Sequence, residues 1–352
     1  MARARESSAM ARARLLGDSV LGTTSPNPPV GAVVLAADGT QVGEGATAPP
    51  GGPHAEIAAL AQAGTRARGG TVVVTLEPCA HTGRTGPCAD ALLAAGVARV
   101  VVAVPEPTGL AAGGAERLRA AGVEVELGVE QAEAEDGALA GWLTGVREHR
   151  PFVIWKVAAT LDGRVAAPDG TSRWITGEAA RAAVHRLRAG CDAVVVGSGT
   201  ALTDDPQLTV RDADGRTAAR QPLRVVVDRG GRLPATARVL DDEAPTHVSR
   251  AATPAAVLAE LFDRDVRRVL LEGGPTLAAA FLRDGLVDEV LVHLAPTLLG
   301  AGPSLVGDLG IHTIGDALTF AITEVTPLGG DVQLRLRPTR HTGGRQYADG
   351  RS

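Results

Sequence analysis

Hydrophobic residues between positions 30 and 128 fall into short valine-rich runs that alternate with alanine- and leucine-rich stretches. Valine-rich runs bounded by glycine or proline predict buried β-strands. The predicted strands are VGAVVLA (30–36), TVVVTL (71–76), RVVVAV (99–104) and VEVELG (123–128). The helical stretches between them are HAEIAALAQAG, CADALLAAG and GAERLRAAG, and the last two end at a glycine typical of a helix C-terminus. This order predicts a mostly parallel sheet covered by helices.

A second alternation begins after the charged cluster REHR and Pro151, which place a domain boundary at about 148–150. It predicts the strands FVIWKVAATL, CDAVVVG, LRVVVD, VRRVLLEGG and DEVLVHLAP, with helices at EAARAAVHRLRAG and PTLAAAFLRDG. The last segment, RPTRHTGGRQYADGRS, has no periodicity, which predicts a frayed end. The pattern therefore favours two α/β domains.

Length and charge agree with two ordinary globular domains. A chain of 352 residues exceeds what one hydrophobic core usually supports. The net charge of −5 argues against electrostatic capture of nucleic acid, and aromatic residues make up only 2% of the chain, too few for a base-stacking groove. We therefore expect small-molecule partners, no nucleic acid and no membrane. A homo-oligomer is compatible with the sequence.

Cysteine usage and the N-terminal sequence favour a cytoplasmic protein. Three cysteines are too few for a disulfide framework in a chain of this size. The start of the chain has no apolar core or small-residue cleavage site of a secretory signal, and no stretch is apolar enough for a transmembrane helix.

Three residues in the first domain have the chemistry of a metal site. His54, Cys79 and Cys88 offer one imidazole and two thiolates, which are the ligands that zinc prefers. Three protein ligands leave a fourth position open, as in a catalytic zinc site. Glu56 lies two residues after His54 at the predicted start of a helix, where its carboxylate can reach a zinc-bound water as proton carrier.

The spacing of these residues resembles the deaminase pattern H-x-E followed by P-C-x-x-C, but here AHTGRTGP separates the cysteines. Two alternatives remain at this point: two buried cysteines with a surface histidine, or a structural zinc with His81 as a fourth ligand. The combined pattern of H-A-E, a strand and E-P-C favours the catalytic zinc.

A candidate anion site in the second domain lies in LLEGGPTLAAAF, where a strand, two glycines and a helix-starting proline present free backbone N–H groups. A tight strand-to-helix turn without a ligand is the alternative. The run VVVGSGTALTDD contains G-x-G, but Leu202 occupies the third glycine position, so the dinucleotide fingerprint fails.

Together these segments resemble a known family, the bifunctional deaminase/reductases of riboflavin biosynthesis. The resemblance covers about residues 10–335 and rests on TTSPNPPVGAVVL, PHAEIAAL, VTLEPCAHTGRTGPC, WKVAATLDGR, SRWIT, DAVVVGSGTALTDDPQLTVR and LLEGGPTLAAAFL. It implies an α/β architecture with a cytidine-deaminase-like domain at 1–148, a dihydrofolate-reductase-like domain at 149–338 and a flexible tail at 339–352. It also implies Zn²⁺ and NADPH as cofactors.

The resemblance implies that zinc-dependent deamination of a phosphoribosylated diaminopyrimidinone precedes NADPH reduction of the ribosyl group to ribityl. In the first reaction His54, Cys79 and Cys88 would hold the metal and Glu56 would be catalytic. The implied deaminase substrate contacts are Asn27, His81, Arg84 and Glu106.

The resemblance also implies the site residues of the reductase. Its implied substrate contacts are Lys156, Ser172, Arg188, Leu208, Arg211 and Glu272, with the two arginines meeting the phosphate. The implied cofactor contacts are Ala158, Trp174, Thr200, Asp204, Gly274, Pro275, Thr276 and Leu277.

The chain departs from the family pattern near the first site. Glu106, Pro107 and Thr108 stand where Asp-Pro-Asn is usual, and Gly86 replaces a proline. One alternative that stays open is therefore a deaminase that acts on a slightly different ring. Two further alternatives are a nucleoside or nucleic-acid deaminase with an appended domain and a non-catalytic binding protein with a deaminase fold.

Overall fold

The computed structural model describes residues 2–81, 86–109, 111–212 and 214–339, and the chain forms two compact units, 1–149 and 150–352. No helix among the described residues is long and apolar enough to cross a membrane. The tail predicted at 339–352 lies outside the described residues except for Thr339.

The first unit is a five-stranded sheet with helices. Its strands are β1 Gly31–Leu35, β2 Gln41–Ala46, β3 Thr71–Leu76, β4 Arg99–Val104 and β5 Glu124–Leu127. Its helices are α1 Ala2–Ser19, α2 Ala55–Ala63, α3 Cys88–Ala95, α4 Gly114–Ala120, α5 Gln131–Asp136 and α6 Ala140–Glu148. The sheet order is β2-β1-β3-β4-β5.

The sheet is less parallel than the sequence predicts. The pairs β3–β4 and β4–β5 are parallel, but β1 is antiparallel to both β2 and β3. The reason is that β1 and β2 are joined by a short turn closed by the bond from Ala36 N to Thr40 O, 2.8 Å. Such a turn reverses the chain, whereas the helical connections between β3, β4 and β5 keep one direction.

Strand β2, which the pattern of residues missed, brings α2 close to the sheet. A side chain at Gly43 would lie 2.3 Å from Ala59 O, and one at Gly45 would lie 2.5 Å from Ala55 O. These two glycines therefore permit an approach between strand and helix that no larger residue allows. The N-terminus of α2 carries His54 and Glu56, so this packing positions the first candidate site.

The second unit is an eight-stranded sheet. Its strands are β6 Phe152–Thr160, β7 Ala193–Gly197, β8 Leu223–Val227, β9 Thr246–Ser249, β10 Arg268–Leu271, β11 Glu289–Ala295, β12 Phe320–Leu328 and β13 Asp331–Pro338. Its helices are α7 Glu178–Ala189, α8 Ser198–Asp204, α9 Pro254–Phe262 and α10 Pro275–Arg283. The order β12-β13-β11-β6-β10-β7-β8-β9 puts β6 and β10 at its centre.

All pairings from β11 to β9 are parallel, and the hairpin β12–β13 adds antiparallel strands to β11. The predicted strands and helices of this unit are confirmed. Strands β9, β12 and β13 and helices α8 and α9 were not predicted. Much of β12 is exposed, so it lacks the buried valine runs that reveal the central strands.

Candidate active sites

The structure brings the three predicted metal ligands of the first unit together. His54 directly precedes α2, Cys79 follows β3, and Cys88 is the first residue of α3. His54 Nδ1 lies 3.8 Å from Cys79 Sγ and 3.3 Å from Cys88 Sγ. The ligand atoms all lie within 4.8 Å of one another. Among the described residues, these three form the one group of three or more His, Cys, Asp or Glu side chains whose ligand atoms could hold a metal ion.

This donor set fits zinc. Tetrahedral Zn–S and Zn–N bonds of normal length separate neighbouring ligand atoms by about 3.5 Å, close to the distances seen here. The hydrogen bond with Cys88 lowers the pKa of Cys79 to about 4, and the Cys88 N–H also donates to Cys79 Sγ at 3.3 Å. The same contact and burial raise the pKa of Cys88. A divalent cation would relieve this competition, because both sulfurs could then be thiolates.

Glu56 lies in the first turn of α2, as predicted, and is 4% exposed. Burial raises the pKa of its carboxyl group, which also has a side-chain hydrogen bond with Cys88. The helix thus holds a buried carboxyl group against a metal-ligand thiol. A carboxyl group whose pKa is raised is suited to general acid–base catalysis.

Glu77, which sequence reasoning did not single out, joins the metal-ligand segment to the loop after β4. Its carboxylate accepts hydrogen bonds from Glu106 N at 3.1 Å and from Ala115 N at 2.9 Å. A side chain at Gly114 would lie 1.7 Å from Pro78 O, so the two segments are in close contact. The only signal in the sequence is the position of Glu77, directly before Pro78 and Cys79.

Three of the other predicted deaminase residues, Asn27, His81 and Glu106, lie in loops. Asn27 is half-buried in the turn before β1, where its N–H donates to Thr24 O at 2.9 Å. His81 is exposed, and Arg84 lies outside the described residues. Glu106 Oε1 accepts from Thr108 N at 2.9 Å and Thr108 Oγ1 at 2.6 Å, so this carboxylate closes its own turn. Their roles stay predictions.

In the second unit, three predicted substrate residues form a largely buried charged cluster at the centre of the sheet. Arg188 Nε lies 2.6 Å from Glu272 Oε1 and Arg188 Nη2 lies 2.8 Å from Glu272 Oε2. Burial lowers the pKa of Lys156, and the nearby charge of Glu272 opposes this effect. The cluster therefore contains two basic side chains and one carboxylate.

The predicted anion turn lies at the start of α10. Gly274 precedes this helix and Pro275 is its first residue. The Gly274 N–H donates to Thr200 Oγ1 at 3.2 Å, so two predicted cofactor residues from separate segments are in contact. A side chain at Gly273 would lie 2.7 Å from Leu277 Cδ2 and 3.1 Å from Leu277 Cβ, so the Leu277 side chain lies close to this turn. Thr276 is exposed in the first turn of the helix.

The remaining predicted residues of the second unit differ in how far they are buried. Ala158 is half-buried on β6, Ser172 is half-buried in the loop after it, and Leu208 is buried. Trp174 is 70% exposed, with the Arg181 guanidinium 4.6 Å from its ring. The Asp204 carbonyl oxygen accepts from Arg173 Nη2 at 2.9 Å.

Arg211 is exposed, and its N–H donates to His185 Nδ1 at 3.2 Å. His185 was not among the predicted site residues. Burial and the charge of Arg188 lower the pKa of His185, so its ring is neutral and suited to accept this bond.

The fold and the ligand set define an α/β protein with a metal-dependent deaminase unit and a second α/β unit that carries a buried charged cluster. Residues 4–104 match the cytidine and deoxycytidylate deaminase zinc-binding region, and residues 151–334 match the RibD C-terminal domain.

The chain is 51% identical over 317 residues to the riboflavin biosynthesis protein RibD of Mycobacterium tuberculosis, covering 90% of this chain and 93% of that protein. The structure is similar to Acinetobacter baumannii RibD, with a TM-score of 0.85, 40% identity and coverage of 96% of this chain and 99% of that chain.

It is also similar to a Thermotoga maritima protein described as a diaminohydroxyphosphoribosylaminopyrimidine deaminase/5-amino-6-(5-phosphoribosylamino)uracil reductase. Here the TM-score is 0.87 at 34% identity, and the match covers 95% of this chain and 99% of that chain. The chain belongs to the RibD family. The predicted order of a cytidine-deaminase-like and a dihydrofolate-reductase-like fold is thereby confirmed, as is the prediction of zinc.

Proposed function

We propose that this RibD chain catalyses two successive steps of riboflavin biosynthesis. The first is hydrolytic deamination of 2,5-diamino-6-ribosylamino-pyrimidinone 5′-phosphate. The second is NADPH reduction of the ribosyl group of 5-amino-6-ribosylaminouracil 5′-phosphate to ribityl. The observation that carries the proposal is the His54, Cys79 and Cys88 cluster, within 4.8 Å, on a chain that also matches the RibD C-terminal domain over 151–334.

In the deaminase, His54, Cys79 and Cys88 would hold the zinc ion. When bound, zinc supplies a Lewis acid that makes water nucleophilic at neutral pH. Glu56 would carry the proton from the water to the departing amine, since it is buried beside Cys88 and burial raises its pKa. Asn27, His81, Arg84 and Glu106 are proposed to contact the pyrimidine.

In the reductase, NADPH supplies the hydride when bound. The turn at Gly274, Pro275, Thr276 and Leu277 would bind it, because the positive end of the α10 dipole suits phosphate oxygens. Two N–H groups of this turn already have partners, since Gly274 donates to Thr200 Oγ1 and Leu277 donates to Gly274 O. The other proposed cofactor residues are Ala158, Trp174, Thr200 and Asp204.

The reductase substrate carries a phosphate and several hydroxyl groups. Arg211 has an exposed guanidinium that suits the phosphate, whereas Arg188 is paired with Glu272. The Lys156 ammonium faces the same carboxylate and can donate to a substrate oxygen. Ser172 and Leu208 complete the proposed substrate contacts.

We further propose that residues 1–148 form the deaminase domain and 149–338 the reductase domain. A cytoplasmic location is proposed because the two ligand thiols have to stay reduced to bind zinc. Nucleic acid is not proposed as a substrate, since the net charge is −5.

The test is incubation of the zinc-loaded protein with the diaminopyrimidinone phosphate, with and without NADPH, followed by mass spectrometry. We expect ammonia release in both reactions and the ribityl product only with NADPH. Ammonia release without NADPH oxidation would remove the reductase half of the proposal. Neither product, from a protein that contains zinc, would overturn it entirely.

A further inference from the structure

His293 lies on the same face of the second sheet as two proposed site residues. In the parallel pairing of β11 with β6, Leu291 is opposite Lys156 and His293 is opposite Ala158. Side chains two residues apart on a strand share a face, so His293, Lys156 and Ala158 lie on one side of the sheet. On the other neighbour, β13, His293 is opposite Gln333.

The hydrogen bonds of His293 leave one ring nitrogen as an acceptor. The residue is 1% exposed, and Nε2 lies 3.1 Å from Gln333 Oε1. An amide oxygen only accepts, so Nε2 carries the proton and Nδ1 offers a lone pair. In the described part of the chain, no group donates a hydrogen bond to this buried Nδ1. Burial of an unpaired acceptor is unfavourable, which points to a donor supplied by a ligand.

The surrounding charges keep this nitrogen an acceptor. Burial, and then the charge of Lys156, lower the pKa of His293 to about 4, although Asp331 and Glu272 act in the opposite direction. The ring is therefore neutral near pH 7. A neutral ring with a protonated Nε2 cannot donate from Nδ1. Nδ1 therefore favours a ligand group that donates a hydrogen bond.

We infer that His293 is a substrate-positioning residue of the reductase, and that its Nδ1 accepts a hydrogen bond from a ribosyl hydroxyl group held beside Lys156 and Ala158. This inference rests on the proposed function. A hydroxyl group suits the position because it is an uncharged donor, and its oxygen can at the same time accept from the Lys156 ammonium. His293 thus fixes the sugar chain and takes no part in bond breaking.

The test compares three replacements in the full-length protein. Leucine removes both ring functions, glutamine keeps a donor for Gln333 but no acceptor near Nδ1, and asparagine keeps an amide oxygen near Nδ1. We expect His293→Leu and His293→Gln to raise the KM for the ribosylaminouracil phosphate about tenfold, while His293→Asn stays within about threefold of wild type. The KM for NADPH should not change.

The matched control is His247→Leu in β9, at the far edge of the sheet, where His247 pairs with Glu260 at 2.9 Å. It should leave both KM values at the wild-type level. Substrate analogues that each lack one ribose hydroxyl make the test independent of variant folding. One analogue should raise the wild-type KM about tenfold and lose its sensitivity to replacement of His293.

Equal KM values for all three variants and wild type would overturn the inference, as would a rise in the KM for NADPH instead. An equal rise for asparagine and leucine would also overturn it, because a purely structural role predicts that result. Absence of NADPH oxidation by the wild-type protein would overturn the proposed function and this inference with it.

Discussion

Arg188 and Glu272 form an ion pair with two hydrogen bonds, 2.6 and 2.8 Å, that joins α7 to the end of β10. Both side chains are largely buried, with 15% and 13% of their surfaces exposed. Burial acts to raise the pKa of Glu272, but the charges of Arg188 and Lys156 outweigh it, and the pKa is lowered. Glu272 therefore neutralises a site that otherwise contains two basic side chains.

This pairing predicts that Glu272→Gln destabilises the protein. The change leaves Arg188 and Lys156 without a buried counter-charge, and loss of one partner of a buried pair costs about 3 to 5 kcal/mol. Urea unfolding of the full chain would measure the difference. Glu178→Gln, on the exposed first turn of α7, is the control and should change stability little. A loss below about 1 kcal/mol in Glu272→Gln would contradict the prediction, since an exposed pair behaves that way.

Replacement of Glu56 by glutamine should abolish deamination and leave zinc binding and reduction intact. The amide keeps the shape of the side chain but cannot take a proton, and general acid–base catalysis typically contributes a factor of about 100 to 10,000. Ammonia release, metal content and NADPH oxidation would be measured on the same sample. Glu116→Gln on α4 is exposed and serves as the control. Loss of zinc from Glu56→Gln would show that Glu56 supports the metal instead.

Replacement of Glu77 by glutamine should weaken substrate binding by the deaminase. The carboxylate accepts from two backbone N–H groups, at Glu106 and Ala115, and a glutamine would turn its NH₂ toward one of them. The loop that carries Glu106 would then shift, so we expect kcat/KM to fall roughly tenfold, mainly through KM. Zinc content should stay at the wild-type level. An unchanged KM would mean that the loop keeps its position without Glu77.

Asp162 predicts a loss of stability at low pH. Its carboxylate accepts from Thr160 Oγ1 at 2.6 Å and Gly300 N at 2.7 Å, and these bonds lower its pKa to about 2. A depressed carboxyl pKa stabilises the fold above the ordinary value of about 4, and this contribution is lost as the pH falls from about 4 to 2.

Thermal unfolding of wild type and Asp162→Asn would test this. The measurements would run from about pH 5 to about pH 2, a range that includes the ordinary carboxyl pKa and the lowered pKa of Asp162. The wild-type midpoint should exceed that of the variant at the upper end, and the two should converge at the lower end. Parallel curves would show that Asp162 does not titrate in this range.

The residue pattern alone determined the central strands and the metal ligands. The valine runs of β3, β4 and β7 are buried on both faces, so their composition is sufficient to reveal them. The residue types at His54, Cys79 and Cys88 specify zinc chemistry wherever the fold places them. Strand β2 was missed because its glycines resemble a turn, although they allow α2 to approach the sheet.

Only the tertiary structure decided which side chains meet. Arg188 and Glu272 are 84 residues apart along the chain, and the fold brings the last turn of α7 to the residue that follows β10, where the two side chains form their ion pair. The register of β11 with its two neighbours places His293 opposite Gln333 and on the same face of the sheet as Lys156. A register shift of one residue would turn His293 to the opposite face. Register depends on the packing of the whole sheet, so no local pattern of residues predicts it.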